Sequence, residues 1–434
     1  MTGKTIVLGL QHTFVMFGAT VLVPLLTGLD VGVTLFAAGV GTLIFHVVTK
    51  FKVPVFLGSS FAFLPALFVI GGGTGAGLGM PYALGGIFIA GLVYVVVSII
   101  FTFVNSDLLH KILPPHVTGP VIILIGVILA PVAILNSVDG YVGAVAGKIG
   151  IMGSWSIAIF TFIVAIVVKI GFAKLGLKFL SLLPVLFAII AGYILAVILG
   201  VVNFSGVSSA AWFGLPNFTL PKFSFVAISF TVPIAIVTMV EHFGDILAIG
   251  NVTKRDFIKD PGINRTLLGD GIATSFSALI GGPANTTYSE NTGAVALTGV
   301  FNPWVMRIAA IFAILLAMIP KFSALILTVP APVIGGISIL LFGMISSIGV
   351  KNMVDARVNL DDPKKLMIVA AMLVLGLGTG SVGQLAQFLP ADSSALSAQA
   401  IALGPFSLGG LGLAAIVGVV MNLILRPKDD TLAK

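Results

Sequence analysis

Three carboxylates inside apolar segments are the residues best suited to chemistry in this sequence. The chain has thirteen Asp but only two Glu, Glu241 and Glu290, and each Glu interrupts an apolar run. Asp245 follows Glu241 by four residues, so a helix would bring both onto one face. A carboxylate in such a segment accepts hydrogen bonds from a ligand or carries a proton. A structural polar cluster is the alternative, and Asp270, near the start of another apolar run, is ambiguous.

A polar run leads into Glu290 and predicts a half-helix that begins beside a ligand. Residues 285–289 read Asn-Thr-Thr-Tyr-Ser, so Glu290 falls in the first helical turn, where backbone N–H groups and the positive helix end point outward. Ser59, Ser60 and Phe61 offer the mirror arrangement. Opposed N–H donors with carboxylates between them suit a small, planar, neutral ring. The ionised acids would repel an inorganic anion.

The remaining polar residues give weaker signals. Gln11 and His12 would lie near Glu241 if the chain has inverted symmetry, although a purely structural role for His12 is equally well supported. His242, about 100° around the helix from Glu241, is predicted to pack against a neighbouring helix. No His or Cys cluster has metal-ligand spacing and no phosphate-binding loop occurs, so no metal or cofactor is expected. A membrane-embedded hydrolase that uses Glu241 and Asp245 as paired carboxylates lacks any nucleophile–base pair.

The composition shows what kind of element must position these residues. Of 434 residues, 58% are hydrophobic and 9% are charged, whereas about a quarter are charged in ordinary soluble domains. Mean hydropathy is +1.19 and glycine is abundant, as in helices packed within lipid. This composition excludes a soluble enzyme, a disordered chain and a nucleic-acid binder. The chain, which has no cysteine, is predicted to be an all-α polytopic membrane protein.

Apolar stretches of about 20 residues mark the candidate spans. Fourteen are predicted, at 5–27, 31–49, 58–70, 82–104, 117–135, 155–172, 180–200, 226–250, 265–281, 286–300, 304–320, 329–348, 365–385 and 404–425. The third and tenth are short and polar, which indicates half-helices preceded by extended backbone. With both termini in the cytoplasm, all but three of the 22 Lys and Arg residues lie on the cytoplasmic side. The exceptions are Lys148, Lys222 and Lys321.

An internal similarity divides the chain into two halves. Residues 114–119 open the fifth span with a proline-rich run, and residues 330–335 open the twelfth in the same way. The short polar spans three and ten correspond likewise. Seven spans separate the partners and seven is odd, so the halves must be inverted. Inverted repeats with interrupted helices at matching positions indicate a secondary transporter with a midplane site; the alternative is that proline merely marks helix starts.

Several motifs resemble the nucleobase/ascorbate transporter family. Residues 290–293, Glu-Asn-Thr-Gly, followed by Thr298 and Gly299, are similar to its signature. Three further runs resemble the bacterial uracil permease branch of the family. They begin at Gln11-His12, at Gly58-Ser59-Ser60-Phe61 and at Glu241-His242-Phe243-Gly244. The resemblance extends over nearly the whole chain.

The resemblance implies fourteen spans in two inverted repeats of seven, with short antiparallel strands in the broken spans three and ten. A core domain would comprise residues 1–116 and 226–328, which hold spans 1–4 and 8–11. A gate domain would comprise residues 117–225 and 329–434, which hold spans 5–7 and 12–14 and a cytoplasmic tail. The gate domain would also carry a homodimer contact. Such a protein would lie in the lipid of the cell inner membrane.

The resemblance further implies import of uracil by proton symport through alternating access. Glu241 and Glu290 would hydrogen-bond the uracil ring, and the backbone N–H groups of Phe61, Tyr288 and Ser289 would reach its carbonyl oxygens. Glu rather than Gln at position 290 favours a pyrimidine. The residues expected to support the site are Ser59, Ser60, Asn291, Gln11 and His12.

Two residues depart from the pattern of the branch. Many uracil permeases have His where this chain has Asp245, and Gly where it has Ser289. Serine keeps the backbone donor, so that change is mild. Because two nearby acids cannot easily both be ionised, Asp245 together with Glu241 is the predicted proton-coupling site. Asp also occurs there in purine transporters, so a xanthine or urate proton symporter is the alternative; an anion exchanger and a passive channel fit less well.

Overall fold

The computed structural model describes residues 3–72, 78–103, 113–140, 143–385, 401–403, 406–408 and 410–427. Helices α1 to α14 are Gly3–Thr27, Val31–Val48, Leu64–Gly71, Met80–Phe103, Pro115–Ser137, Ala146–Ile166, Pro184–Ile198, Phe225–Thr253, Ile263–Leu279, Ser289–Thr298, Trp304–Ala317, Ala331–Asp355, Pro363–Leu385 and Gly410–Leu425. Shorter unlabelled helices are Phe61–Phe63, Val167–Gly171, Phe172–Lys174, Leu180–Leu182, Ser205–Ser209, Ile258–Gly262 and Pro320–Leu327. Strands β1 to β4 are Leu57–Ser59, Asn285–Thr287, Ile401–Leu403 and Phe406–Leu408.

Eight helices in the described part are long and apolar enough to cross a bilayer. They are α1, α2, α4, α5, α6 with its extension to Lys174, α8, α12 and α13. Helix α11 and the following Pro320–Leu327 helix form a ninth candidate if the bent pair counts as one span. Helices α3, α7 and α14 are apolar but shorter. The count of fourteen spans and the inverted relation of the two halves stay predictions.

Strands β1 and β2 pair antiparallel, which confirms the strand pair that the family resemblance implies between the predicted third and tenth spans. Two further backbone bonds extend the pair, from the Ser60 N–H to the Ala284 carbonyl at 2.8 Å and from the Tyr288 N–H to the Phe56 carbonyl at 3.0 Å. Each strand runs directly into a helix, β1 through a 3-10 turn into α3 and β2 into α10. Two helix starts therefore lie close together within the helical bundle.

The helices pack as two groups. In the first helix group, α4 packs on α9, α2 packs on α9 and α11, and α1 and α8 lie alongside. In the second helix group, α5 packs along α12, with α6, α7, α13 and α14 around this pair. A glycine permits α5 and α12 to approach closely, because a Cβ at Gly126 of α5 would overlap the Phe342 carbonyl oxygen of α12. The division into core and gate domains and their independent motion remain predictions.

Two features of the fold were not predicted. The predicted eleventh span, 304–320, ends as a helix at Ala317, and the Pro320–Leu327 helix leaves it at 83°. Proline lacks the N–H that a continuing helix would need, so the chain restarts at Pro320. The predicted fourteenth span, from 404, begins as a helix only at Gly410, and β3 pairs antiparallel with β4 before it.

Candidate functional site

A cavity of about 620 Å³ lies between the two helix groups. Helix α8, strand β2, the start of α10 and the turn before α3 form one wall, and α5 and α12 form the other. Its volume falls in the range of small-molecule sites, about 300–1,000 Å³. All the residues predicted to bind substrate line this cavity, namely Phe61, Glu241, Tyr288, Ser289 and Glu290. Asp245 lines it as well. Their individual roles remain predictions.

Helix α8 contributes two acids to the cavity. Glu241 and Asp245 lie one turn apart and both line it, as their spacing predicts. The Asp245 carboxylate accepts a hydrogen bond from the Thr287 hydroxyl, with 2.8 Å between Oγ1 and Oδ2. This bond joins α8 to β2, so it holds the Asp245 carboxylate against the strand pair.

The helix starts beside the strands supply backbone donors. Phe61 begins the 3-10 turn and Ser289 begins α10, so their N–H groups have no acceptor within their own helices. Tyr288 differs, because its N–H already donates to the Phe56 carbonyl. The ligand donor predicted at Tyr288 is therefore committed to the strand pair. Glu290 lies in the first turn of α10, where the helix dipole stabilises negative charge.

The Tyr288 side chain fastens the strands to α1. Its hydroxyl donates to the Ser59 carbonyl at 3.1 Å and accepts a bond from the Thr20 hydroxyl at 3.4 Å. The Ser59 hydroxyl in turn donates to the Thr20 carbonyl at 3.1 Å. Only glycine fits at position 58, because a Cβ there would overlap the Tyr288 ring. Ser59 and Tyr288 thus fix the position of the strand pair.

The other predicted supporting residues have different surroundings. Asn291 Nδ2 lies 3.1 Å from His12 Nδ1. This contact joins α10 to α1 behind the cavity. The Ser60 hydroxyl is buried and has no hydrogen-bond partner among the described residues. Gln11 is half-buried on α1 and does not line the cavity. The contact between His12 and Asn291 supports the predicted supporting role of these two residues. Within the described part of the chain, no hydrogen bond supports that role for Gln11.

A buried pair of ionisable residues lies directly behind Glu241. His242 Nδ1 is 3.3 Å from Asp270 Oδ2, and both side chains are 0% exposed. The His242 ring also meets the Phe45 ring of α2 edge to face, with 6.3 Å between centroids. His242 therefore packs against neighbouring helices, which confirms its prediction. The ambiguous Asp270 faces it from α9, and the two side chains are in contact without a hydrogen bond between them.

Part of the cavity wall was missed from the sequence. Thr286 lines the cavity, and its buried hydroxyl has no partner among the described residues. The second helix group adds an apolar wall and then a polar mouth at the end of α12. The wall includes Ile125, Leu341, Met344 and Ile345, and the mouth includes Thr118, Lys351, Asn352 and Asp355. On a helix that is apolar all round, the sequence does not distinguish the cavity side from the lipid side.

Comparison with known proteins identifies close relatives. Residues 3–384 match the family described as Permease family and named Xan_ur_permease. The uracil permease of Bacillus caldolyticus is 42% identical over 98% of this chain and 93% of its own length. The uracil permease of Escherichia coli strain K12 is 34% identical over 99% of this chain and 94% of its own.

A solved structure shows the same kind of fold. The transmembrane domain of the cyanobacterium bicarbonate transporter BicA has a TM-score of 0.59 at 15% identity, over 87% of this chain and 96% of that one. At this identity the likeness concerns the fold alone. The family match and the apolar helices together make this chain a multi-pass membrane transporter rather than an enzyme. The chain belongs to the Xan_ur_permease family of permeases.

Proposed function

We propose that this protein carries uracil across the membrane. The observation that carries the proposal is the convergence of acids and backbone donors on one cavity. Glu241 and Glu290 line it, and the helix starts at Phe61 and Ser289 border it. The uracil permeases among the relatives support the choice of substrate.

Uracil is a planar, neutral ring in which N–H donors alternate with carbonyl acceptors. The ring N–H groups would donate to Glu241 and Glu290. The Phe61 and Ser289 backbone N–H groups would donate to the carbonyl oxygens, and the Thr286 hydroxyl is a further candidate donor. Since a hydrogen bond to a charged group contributes about 1.5–3 kcal/mol, Glu290 would supply a large part of the affinity.

A proton is proposed to accompany uracil. Glu241, Asp245 and Glu290 put three carboxylates on one cavity. Their mutual repulsion is relieved when one takes up a proton. Asp245 is the favoured carrier because it lies one turn from Glu241 and would leave Glu290 for the ligand. Proton uptake would then favour the loaded state of the transporter.

Alternating access would move the first helix group, as a core domain, against the second, as a gate domain. The cavity extends from the acids to Lys351 and Asp355 at the end of α12. Toward the start of α12, the Phe61 and Phe342 rings meet edge to face at 6.3 Å and bridge the two groups. Release would therefore occur past Lys351. We place this end and both termini in the cytoplasm, the chain in the inner membrane, and a homodimer contact on the gate domain.

A xanthine or urate proton symporter on the same fold is the second candidate. Asp245 favours it, because an acid at this position also occurs in purine transporters of the family. The cavity of about 620 Å³ is also roomier than a single pyrimidine ring requires. The two candidates differ in substrate and share the proposed coupling site.

Uptake of labelled uracil into proteoliposomes, with and without an inward proton gradient, tests the proposal. Excess unlabelled xanthine is the competitor. We expect gradient-driven accumulation of uracil that xanthine does not reduce. Transport of xanthine in place of uracil would overturn the substrate, and equilibration without accumulation would overturn the coupling.

The variant Glu290→Gln tests the binding site itself. Replacing a charged acceptor by an amide should weaken uracil binding at least about tenfold, since 1.4 kcal/mol corresponds to a factor of ten. Calorimetric titration of the purified protein in detergent would measure this. Asp355→Asn, at the mouth of the same cavity, is the matched control and should keep the wild-type affinity. Equal affinities in both variants would remove Glu290 from the site.

A further inference from the structure

The segment before α8 crosses one end of the first helix group. We name residues 211–224, which have no regular secondary structure, the aromatic strap. Five hydrogen bonds join it to five helix ends in turn. Two bonds hold its first part: the Lys321 N–H donates to the Ala211 carbonyl, and the Gly214 N–H donates to the Met318 carbonyl. In the middle, Asn217 Nδ2 donates to Asp30 Oδ2, and the Thr219 N–H donates to the Ile280 carbonyl. At its end the Lys222 N–H donates to the Pro81 carbonyl, and all five distances are 2.9–3.2 Å. The strap is thus attached to the first group along its whole length.

The strap lies against the sides of these helices and not only across their ends. A Cβ at Gly85 of α4 would overlap the Lys222 carbonyl oxygen, and the Phe223 and Phe88 rings meet edge to face at 5.8 Å. Gly85 and Phe88 follow Met80, the first residue of α4, by five and eight residues. At 1.5 Å per residue this is about 8–12 Å along the helix. The strap therefore reaches about 8–12 Å along α4 from its first residue, a length comparable to the depth to which interfacial segments enter the headgroup–acyl boundary.

Large apolar side chains of the strap are exposed. Trp212, Phe213, Leu215 and Leu220 are 75%, 72%, 68% and 74% exposed. These exposed fractions are similar to that of Val374 on the candidate spanning helix α13, whose side chain is 71% exposed. In water such a cluster would be an unfavourable apolar patch, whereas aromatic residues are enriched where a membrane protein meets the bilayer surface.

Two lysines accompany the aromatic rings of this region. Lys321 Nζ lies 4.5 Å from the centroid of the Trp212 ring, and Lys222 Nζ lies 6.0 Å from that of Tyr82. A lysine beside an interfacial ring keeps its ammonium at the polar surface while its stem and the ring contact apolar material. An ammonium in that position also attracts lipid phosphate.

We propose that the aromatic strap is a lipid-binding band that seats the first helix group in the headgroup–acyl boundary of the bilayer. Phospholipid is the occupant, with its phosphate near Lys321 and Lys222 and its upper acyl chain against Trp212 and Leu220. Because the strap is bonded to α2, α4, α9 and α11, lipid contact there sets the depth of the whole group. The proposal holds whichever nucleobase the cavity binds.

Depth-dependent quenching of tryptophan fluorescence tests the band. The full-length protein would be reconstituted into nanodiscs of phospholipid brominated either near the headgroup or near the chain end. The wild type has three tryptophans, so subtracting the emission of Trp212→Phe isolates the Trp212 signal. We expect shallow bromine to reduce that signal at least about twofold more than deep bromine does. A variant with Trp155→Phe and Trp304→Phe, which keeps only Trp212, provides an independent reading.

Two results would overturn the proposal. Quenching by aqueous iodide but by neither brominated lipid would place Trp212 in water. Protection from both kinds of quencher would mean that a second copy of the chain covers the strap. Either result leaves uracil uptake untouched, so it is distinguishable from a failure of the proposed transport function.

Discussion

Among single residues, Asp245 is the acid whose role is easiest to separate from ligand binding. Its carboxylate is held by the Thr287 hydroxyl one turn from Glu241. Asparagine keeps the shape and can still accept that hydrogen bond, but it cannot carry a proton. We expect Asp245→Asn to bind uracil within about threefold of the wild-type affinity, a change below 1 kcal/mol. Gradient-driven accumulation should be lost, while exchange of labelled for unlabelled uracil continues.

Thr287→Val is the matched control for this variant. It removes the hydrogen bond and leaves the Asp245 carboxylate able to take up a proton, so concentrative uptake should continue. The two variants would be compared in the same proteoliposomes, by gradient-driven uptake and by exchange. Normal accumulation by Asp245→Asn would assign the coupled proton to another group.

The His242–Asp270 pair makes a prediction about stability. His242→Leu would leave a fully buried carboxylate without its partner, and breaking a buried pair costs about 3–5 kcal/mol. We expect the midpoint of thermal unfolding in detergent to fall by at least about 5 °C. The double variant with Asp270→Leu removes both polar groups and should recover much of that loss. Strictly additive losses would show that the two side chains do not interact.

The sequence located these residues unequally for physical reasons. Glu241, Asp245 and Glu290 could be identified because a carboxylate in an apolar run is rare and costly. The contact between His242 and Asp270 could not be predicted, because Asp270 lies on another helix and only the packing of α8 on α9 brings the two side chains together. The use of the Tyr288 N–H also depends on strand register, and three-residue strands carry too little pattern to fix it.

At the scale of elements, the β1–β2 pair depends on one close approach. Gly58 of β1 lies against the Tyr288 ring, and a methyl group there would overlap it. Gly58→Ala should therefore displace Tyr288, whose hydroxyl bonds the Ser59 carbonyl. Overpacking of this kind costs about 1–3 kcal/mol. Because the cost falls on the strand pair that borders the cavity, we expect uracil affinity to fall at least about fivefold, since 1.4 kcal/mol corresponds to a factor of ten. Equilibrium binding to the purified variant measures this.

Gly343→Ala is the control for that substitution. A Cβ at Gly343 of α12 would have nothing within 4 Å, and alanine is favoured over glycine inside a helix. Uracil binding should therefore remain at its wild-type value, and thermal stability should equal or slightly exceed that of the wild type. If Gly58→Ala also bound uracil normally, the Tyr288 contact would have no part in shaping the site.

Elements were predictable where composition changes sharply. The polar interruptions of the third and tenth apolar stretches marked the strands and half-helices that the structure contains. The Pro320–Leu327 helix was missed, because the predicted eleventh span ended at Pro320 and a helix of 8 residues is too short to give a spanning pattern. The β3–β4 hairpin was missed because short strands within an apolar run resemble a helix in composition.

For the whole molecule, the decisive feature is a cavity between two helix groups that is lined by acids at one end and by Lys351 and Asp355 at the other. The sequence predicted the helices, but it could not predict which way the cavity opens. States of a transporter differ by only a few kcal/mol, and that difference is spread over many contacts between the groups. Direction of opening is therefore a property to measure on the assembled protein.

The absence of cysteine from the chain makes that measurement direct. Ile348 lines the cavity near Lys351 and is 49% exposed. If the polar mouth faces the cytoplasm, a membrane-impermeant thiol reagent should label Ile348→Cys in inside-out vesicles and leave it unlabelled in right-side-out vesicles. Ile337→Cys, on the same helix but 1% exposed, should resist labelling in both. Labelling of Ile348→Cys only from the opposite side would reverse the predicted orientation, and with it the proposed direction of release.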